Sequence, residues 1–198
     1  MKFVVLLPLF AALLVAGCGE KSLSDSAIKK ALKEAVEKES LQVRKHLYYR
    51  VNESEPYSGW VKEKYDSGQA NTLMLFKDGK RDGPIVTWHE NGQKKYEGTS
   101  KDGIGIGPAT WWHENGQTCR EATFKEGKPD GPWTMWHENG QKQVEATYKN
   151  GKLDGLTTAW HENGQKSEEK TYKDGELVSE KFWNSKGEEV ETIEETRK

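Results

Sequence analysis

The tetrapeptide His-Glu-Asn-Gly follows a tryptophan at Trp88, Trp112, Trp136 and Trp160, each copy 24 residues after the last. Fixed self-similarity of this length means one supersecondary unit stacked several times, because a unit so small cannot bury an apolar face alone. The glycines carry the pattern further. One series falls at Gly68, Gly92, Gly116, Gly140, Gly164 and Gly187; a second falls at Gly79, Gly103, Gly127, Gly151 and Gly175. Asn-Gly and Asp-Gly pairs accept positive φ and mark hairpins. Between them lie runs such as Pro132-Trp133-Thr134-Met135-Trp136 and Val144-Glu145-Ala146-Thr147-Tyr148. These are rich in aromatic and β-branched residues and too short for helices. The turn glycines predict roughly twelve strands. The expected fold is mainly β: an elongated single-layer antiparallel meander of about six 24-residue hairpin repeats, preceded by a short N-terminal helix.

Which side chains share a face depends on the turn. A two-residue Asn91-Gly92 loop pairs Trp88 with Lys95 and gathers Trp111, Trp133, Met135 and Tyr148 on the opposite face. A three-residue loop with a glycine bulge puts Trp88 against Tyr96. A slip of one residue exchanges the faces, so the pattern leaves both open. The two-residue loop is preferred.

The amino terminus supplies an address. Met1-Lys2 precedes an apolar run from Phe3 to Ala16, followed by Gly17-Cys18. At 1.5 Å per residue this run spans about 21 Å, short of a hydrocarbon core of roughly 30 Å, so a signal segment fits better than a membrane span. Small residues before a cysteine resemble the bacterial lipobox, which implies lipidation of Cys18 and a mature chain beginning there. Acyl chains contribute about 0.8 kcal/mol per buried CH₂, enough for stable anchoring when there are several. Gly19 after the cysteine is similar to the outer-membrane sorting pattern, should the host be Gram-negative. The expected location is the cell envelope. Residues 1–17 are read as signal peptide, 18–44 as lipid anchor and helical spacer, 45–193 as the repeat array and 194–198 as a tail.

Within 18–44, Ser24 and Asp25 are N-cap candidates, and Ile28, Ala31, Leu32, Ala35 and Val36 recur at helical spacing. Such a helix acts as a spacer or packs on the first strands. Attachment to a membrane surface is disfavoured, because Glu34, Glu37 and Glu39 nearly cancel Lys29, Lys30, Lys33 and Lys38. Leu47 to Val51 is a candidate leading strand, and the acid-rich end from Glu188 is a solvated cap. Cys119 is the one other cysteine, so a lipidated Cys18 leaves no internal disulfide. Cys119 itself is read as a small strand residue.

The unit Trp-His-Glu-Asn-Gly-Gln-Lys, four variable residues, then Thr-Tyr-Lys-Asn-Gly-Lys-Leu-Asp-Gly, clearest from Trp136 to Gly155, resembles the MORN repeat variant. That variant occurs in bacterial proteins often labelled antitoxins of the YwqK type. The resemblance extends from about Tyr57 to Glu189. Tyr65-Asp66-Ser67-Gly68 and Trp183-Asn184-Ser185-Lys186-Gly187 are degenerate end copies, as caps are. Ile104-Gly105-Ile106-Gly107 replaces the usual Lys-x-Asp-Gly, so that stretch is expected to differ. The resemblance implies an elongated antiparallel sheet that associates with proteins or membranes, and no catalytic residues.

The recurring side chains argue against chemistry on their own account. His89, His113, His137 and His161 lie two strands apart in a meander, about 9.5 Å, whereas zinc needs each nitrogen within about 2.1 Å. Glu97, Glu121, Glu145 and Glu169 repel one another by only about 0.4 kcal/mol per pair at that separation in water, so all stay ionised. No activated nucleophile or phosphate-cradling glycine loop is present in the sequence, and neither enzymatic activity nor a cofactor or metal is expected. A net charge of −2 with interleaved lysines and glutamates offers no basic footprint for nucleic acid. Trp88, Trp112, Trp136 and Trp160 are the candidate binding surface, although packing of the sheet is the more economical role for them. The expected function is non-enzymatic: a membrane-anchored array presenting a sheet surface to an unknown protein partner. The alternatives are an immunity protein or antitoxin covering a toxin, and an envelope glycan binder.

Overall fold

The structure, a computed structural model, describes residues 22–197. The signal segment 1–17 and Cys18 lie outside the described residues. Helix α1 (Asp25–Glu34) opens the chain, with Ser24 as N-cap: its Oγ accepts the Ala27 N–H at 3.2 Å. The helix stops two residues short of the apolar pattern. Val36 instead begins β1 (Val36–Glu37), which runs parallel to β4 (Gly59–Lys64). Between them, β2 (Leu41–Arg44) and β3 (Leu47–Arg50) form a separate hairpin, so the predicted leading strand exists but does not join the main sheet.

From β4 onward the chain is a meander. Its strands are β5 (Ala70–Lys77), β6 (Lys80–Trp88), β7 (Lys94–Lys101), β8 (Ile104–Trp112), β9 (Thr118–Lys125) and β10 (Lys128–Trp136). It continues through β11 (Lys142–Lys149), β12 (Lys152–Leu153), β13 (Gly155–Trp160), β14 (Lys166–Lys173), β15 (Glu176–Trp183) and β16 (Glu189–Val190). Each strand pairs antiparallel with its predecessor, except that β12 and β13 both pair with β11 as two halves of one run. Counting those halves together, β4 to β16 make the roughly twelve strands that the turn glycines predict.

The two glycine series make two kinds of turn. At the second series Asp78 and Gly79 both have positive φ, 49° and 77°, and Lys77 pairs with Lys80, a two-residue loop of the primed type. The His-Glu-Asn-Gly turns differ, and here the preferred two-residue loop is wrong. The Gly92 N–H donates to the His89 carbonyl and the His89 N–H to the Gln93 carbonyl, both at 2.9 Å, which makes a three-residue loop closed by a glycine bulge. The Asn91 side chain explains the difference. Its Oδ1 accepts the Gln93 N–H at 3.0 Å while its amide donates to the Glu114 carbonyl, so Asn91 keeps negative φ and Gly92 takes the left-handed position at 84°.

Neither anticipated partner of Trp88 is found. Trp88 pairs with Lys94, Lys95 is extruded as a second bulge, and Thr87 then faces Tyr96. The two irregularities together restore the strand register that a two-residue loop would have given. Trp111, Trp133, Met135 and Tyr148 consequently do share one face.

Hydrogen bonds at both ends of the strands fasten each repeat to the next. The Nε2 atoms of His89, His113, His137 and His161 lie 2.9–3.1 Å from the carbonyls of Trp112, Trp136, Trp160 and Trp183. A carbonyl can only accept, so each imidazole donates through Nε2. Asn91, Asn115, Asn139 and Asn163 donate to carbonyls of the following turn. At the opposite strand ends, Gly103, Gly127, Gly151 and Gly175 N–H groups reach back to Arg81, Gly105, Pro129 and Leu153 carbonyls. The aberrant 104–107 stretch keeps this backbone bond. It lacks the aspartate that caps Asn150 from Asp130 in the regular copy.

The dense core sits at one end. On one face, hereafter the helix face, Ile28, Ala31 and Ala35 cover Leu73 and Val86, with Trp60 and Trp88 alongside. On the other, the hairpin face, Val36, Leu41 and Tyr48 pack over Tyr57, Val61, Met74 and Phe76. The side chains with no exposure at all, Leu73, Val61 and Val86, are here. Beyond β7 the sheet is a single layer.

Replacing Gly140 (φ 81°) by valine puts a β-branched residue in the left-handed region. This is expected to destabilise the fold by about 1–3 kcal/mol in denaturant unfolding. His137→Ala removes one inter-repeat bond and is expected to cost about 1 kcal/mol in the same measurement, without loss of β signal in circular dichroism.

Candidate functional site

Past the capped end, two sheet faces stay uncovered by other elements, and their chemistry differs. On the helix face Glu and Thr alternate across the strands in one row. Glu97 stands opposite Thr110, which faces Glu121, and the order continues through Thr134, Glu145 and Thr158 to Glu169. The glutamates are thus two strands apart, and the threonines between them separate the charges. In the first unit the same row reads Leu73 and Val86, and this apolar pair is what α1 covers.

A second row on the helix face holds Trp88, Trp112, Trp136 and Trp160, all half-buried. Trp88 is packed into the α1 cluster. Lys94 Nζ sits 5.8 Å from the Trp112 ring centre and 2.8 Å from Glu97 Oε2. Lys142 repeats the arrangement with Trp160 and Glu145, and Lys166 with Trp183 and Glu169. An ammonium over an indole gains about 0.5–1 kcal/mol at an exposed site, and an exposed ion pair adds a similar or smaller amount. Most of the row is therefore occupied by the chain's own groups. Glu97 receives one donor more, the Leu23 N–H at 2.8 Å, so the segment leading into α1 lies along this face.

The hairpin face carries an aromatic ladder that follows no strict period. Tyr96 and Trp111 rings lie 4.9 Å apart, Trp111 and Phe124 6.1 Å, Phe124 and Trp133 6.5 Å, and Trp133 and Tyr148 5.3 Å. The rings are tilted by about 50–60° to one another, so they pack together and form no row of parallel plates. Small residues below make room: Ala109, Ala122 and Ala146 are buried, and Tyr96 folds over Gly98, where an added Cβ would meet its hydroxyl. Arg120 lies across two rings, 3.6 Å from Trp111 and 5.0 Å from Trp133. Burial pushes its guanidinium below the usual range, and its Nε has no hydrogen-bond partner.

The four histidines each donate Nε2 to a tryptophan carbonyl of the next repeat, so that nitrogen serves to join the repeats. Cys119 is an extruded bulge residue between Thr118 and Arg120, and burial raises its thiol above the ordinary range, away from the reactive thiolate. The four predicted tryptophans do lie in one row on the helix face, most of it occupied by the chain's own groups. The sequence reading missed that Arg120 and Phe124 complete a second, and that lysines recurring at Lys94, Lys142 and Lys166 cover the first. The 24-residue recurrence of those lysines was the available signal.

No curated protein matches this chain significantly. No helix among the described residues is long and apolar enough to cross a membrane. Residues 81–102, 106–126, 129–150 and 153–174 match the MORN repeat variant. These segments coincide with the hairpin units whose turn hydrogen bonds are described above. Repeats of this kind are consistent with a protein that interacts with other proteins or with membranes. Residues 81–174 are an array of four MORN repeat variants.

Proposed function

We propose that this chain is a non-enzymatic display protein of the cell envelope, anchored by lipid on Cys18, whose sheet offers a binding surface to another protein. One observation supports this above all: beyond the capped end, both faces of a single-layer sheet are left without a covering element, and each bears aromatic groups. A sheet face carrying half-buried aromatic and arginine groups has the composition that protein interfaces favour.

The anchor gives the array an orientation. α1 begins seven residues after Cys18, which spans at most about 25 Å when fully extended. From β4 to β16, strand spacings of about 4.8 Å carry the sheet about 50 Å further. The apolar-capped end is thereby held near the bilayer and the open faces stand away from it. The tilted packing of the hairpin-face rings favours a polypeptide partner over a stacked sugar chain. An immunity or antitoxin role is the same surface directed at a toxin, and a toxin gene beside this one would favour it.

Cys18→Ser is expected to move the protein from the membrane fraction to the soluble fraction of lysed cells; retention in the membrane would contradict the anchor. Photocrosslinkers placed at Thr134 on the helix face and Val144 on the hairpin face of the anchored protein are expected to give discrete polypeptide adducts in intact cells. Adducts to glycan strands instead would transfer the conclusion to glycan binding, and an empty map at both positions would remove the display reading.

A further inference from the structure

The lysines of the helix face form a series with one member missing. At a spacing of 24 the positions are Lys94, Thr118, Lys142 and Lys166. Each lysine makes the same two contacts: a carboxylate three residues on, at 2.6–3.0 Å, and the indole of the next repeat, at 5.0–5.9 Å. Thr118 occupies the second position and is too short for either contact. Its counterpart carboxylate is Glu121 and its counterpart indole is Trp136. Among the described residues, Glu121 has no ion-pair or side-chain hydrogen-bond partner, and no cation lies over Trp136.

The surroundings make this a place for an incoming group. Glu121 is exposed, its cross-strand neighbours are the neutral Thr110 and Thr134, and the nearest cationic side chain in sequence, Arg120, is directed to the hairpin face. Lys94 and Lys142, in the flanking repeats, are held by Glu97 and Glu145. Beside Glu121 lies a shallow hollow lined by Pro108, Thr110, Thr123, Pro132 and Thr134. Its two prolines offer apolar surface to the methylene stem of a long side chain, which covers its carbons while its head reaches a charge.

We propose that Glu121 and Trp136 form a receptor for a lysine side chain supplied by a protein partner, filling the position that the chain fills for itself in the other repeats. The partner's ammonium lies between the Glu121 carboxylate and the Trp136 indole face, as the ammonium groups of Lys94, Lys142 and Lys166 do at their own sites. This rests on the reading of the array as a protein-binding surface and names where on that surface a basic residue of the partner docks. Exposed ion pairs and cation–π contacts are individually weak, so the site fixes register within a larger contact and binds an isolated lysine only in the millimolar range.

The test is a titration of the folded protein with N-acetyl-lysine methylamide, followed by NMR at the tryptophan indole N–H groups, with N-acetyl-norleucine methylamide as the uncharged control. A saturable shift is expected at Trp136 and not at Trp160, whose site Lys142 already fills. Glu121→Gln is expected to weaken the response about two- to fivefold, and Thr118→Lys, which restores the lysine of the other repeats, to abolish it. Thr118→Lys is also expected to leave the melting temperature unchanged or higher. An unresponsive Trp136, equal responses at Trp136 and Trp160, or undiminished binding in either variant would overturn the receptor. The crosslinking at Thr134 and Val144 reads the wider surface independently, so loss of the receptor and loss of the display reading are separate results.

Discussion

A single-layer sheet has no second layer to hold its strands, so its cohesion has to run sideways, from each hairpin to the next. In this protein the ladder hydrogen bonds of the strand bodies are reinforced at both strand ends. Histidine and asparagine side chains tie one row of turns to its successor, and glycine amides tie the other row. The invariance of His-Glu-Asn-Gly follows from this. The imidazole and the carboxamide reach a carbonyl of the next turn, two strands or roughly 9.6 Å further along the sheet, and the glycine is what lets the loop close while asparagine is so engaged. A pattern that invites a catalytic interpretation is accounted for by what stacking requires.

The same architecture divides the molecule into a part that is packed and a part that presents. Near α1 and the β2–β3 hairpin, apolar residues at Leu73, Val86, Val61 and Met74 are covered from both sides. One repeat later the equivalent positions are Glu97 and Thr110, where the helix has ended its cover and the segment leading into it reaches Glu97 through the Leu23 N–H. A change of side-chain type at fixed register thus converts a buried core into an open face while the backbone continues unaltered. Repeat proteins obtain extended binding surfaces in this way, since stability is collected from neighbour contacts along the array.

Much of this was legible in the residues. The glycine series gave the strand count, and Ser24 with Ile28 and Ala31 gave the helix and its buried side. The turn was misread because Asn-Gly is compatible with two loops, and the choice between them rests on where the asparagine side chain bonds, a contact made with the following repeat and invisible within one. The face assignment nevertheless survived, because a second bulge at Lys95 cancelled the first. Arg120 escaped notice for a related reason. It occupies a position held by Tyr96 one repeat earlier and Val144 one repeat later, and an aperiodic site carries no signal in a reading built on recurrence.

The ends of the sheet have a consequence of their own. An exposed strand edge is a template on which another copy could continue, and a stack of identical hairpins is open to it at both extremities. Here the leading edge is blunted by the two residues of β1, with Glu37 bridged to Lys62 and Lys64, and the trailing edge by the two residues of β16 followed by the helical turn Ile193–Arg197. Copies of this chain are thereby discouraged from joining into filaments. Each remains a ruler of defined length.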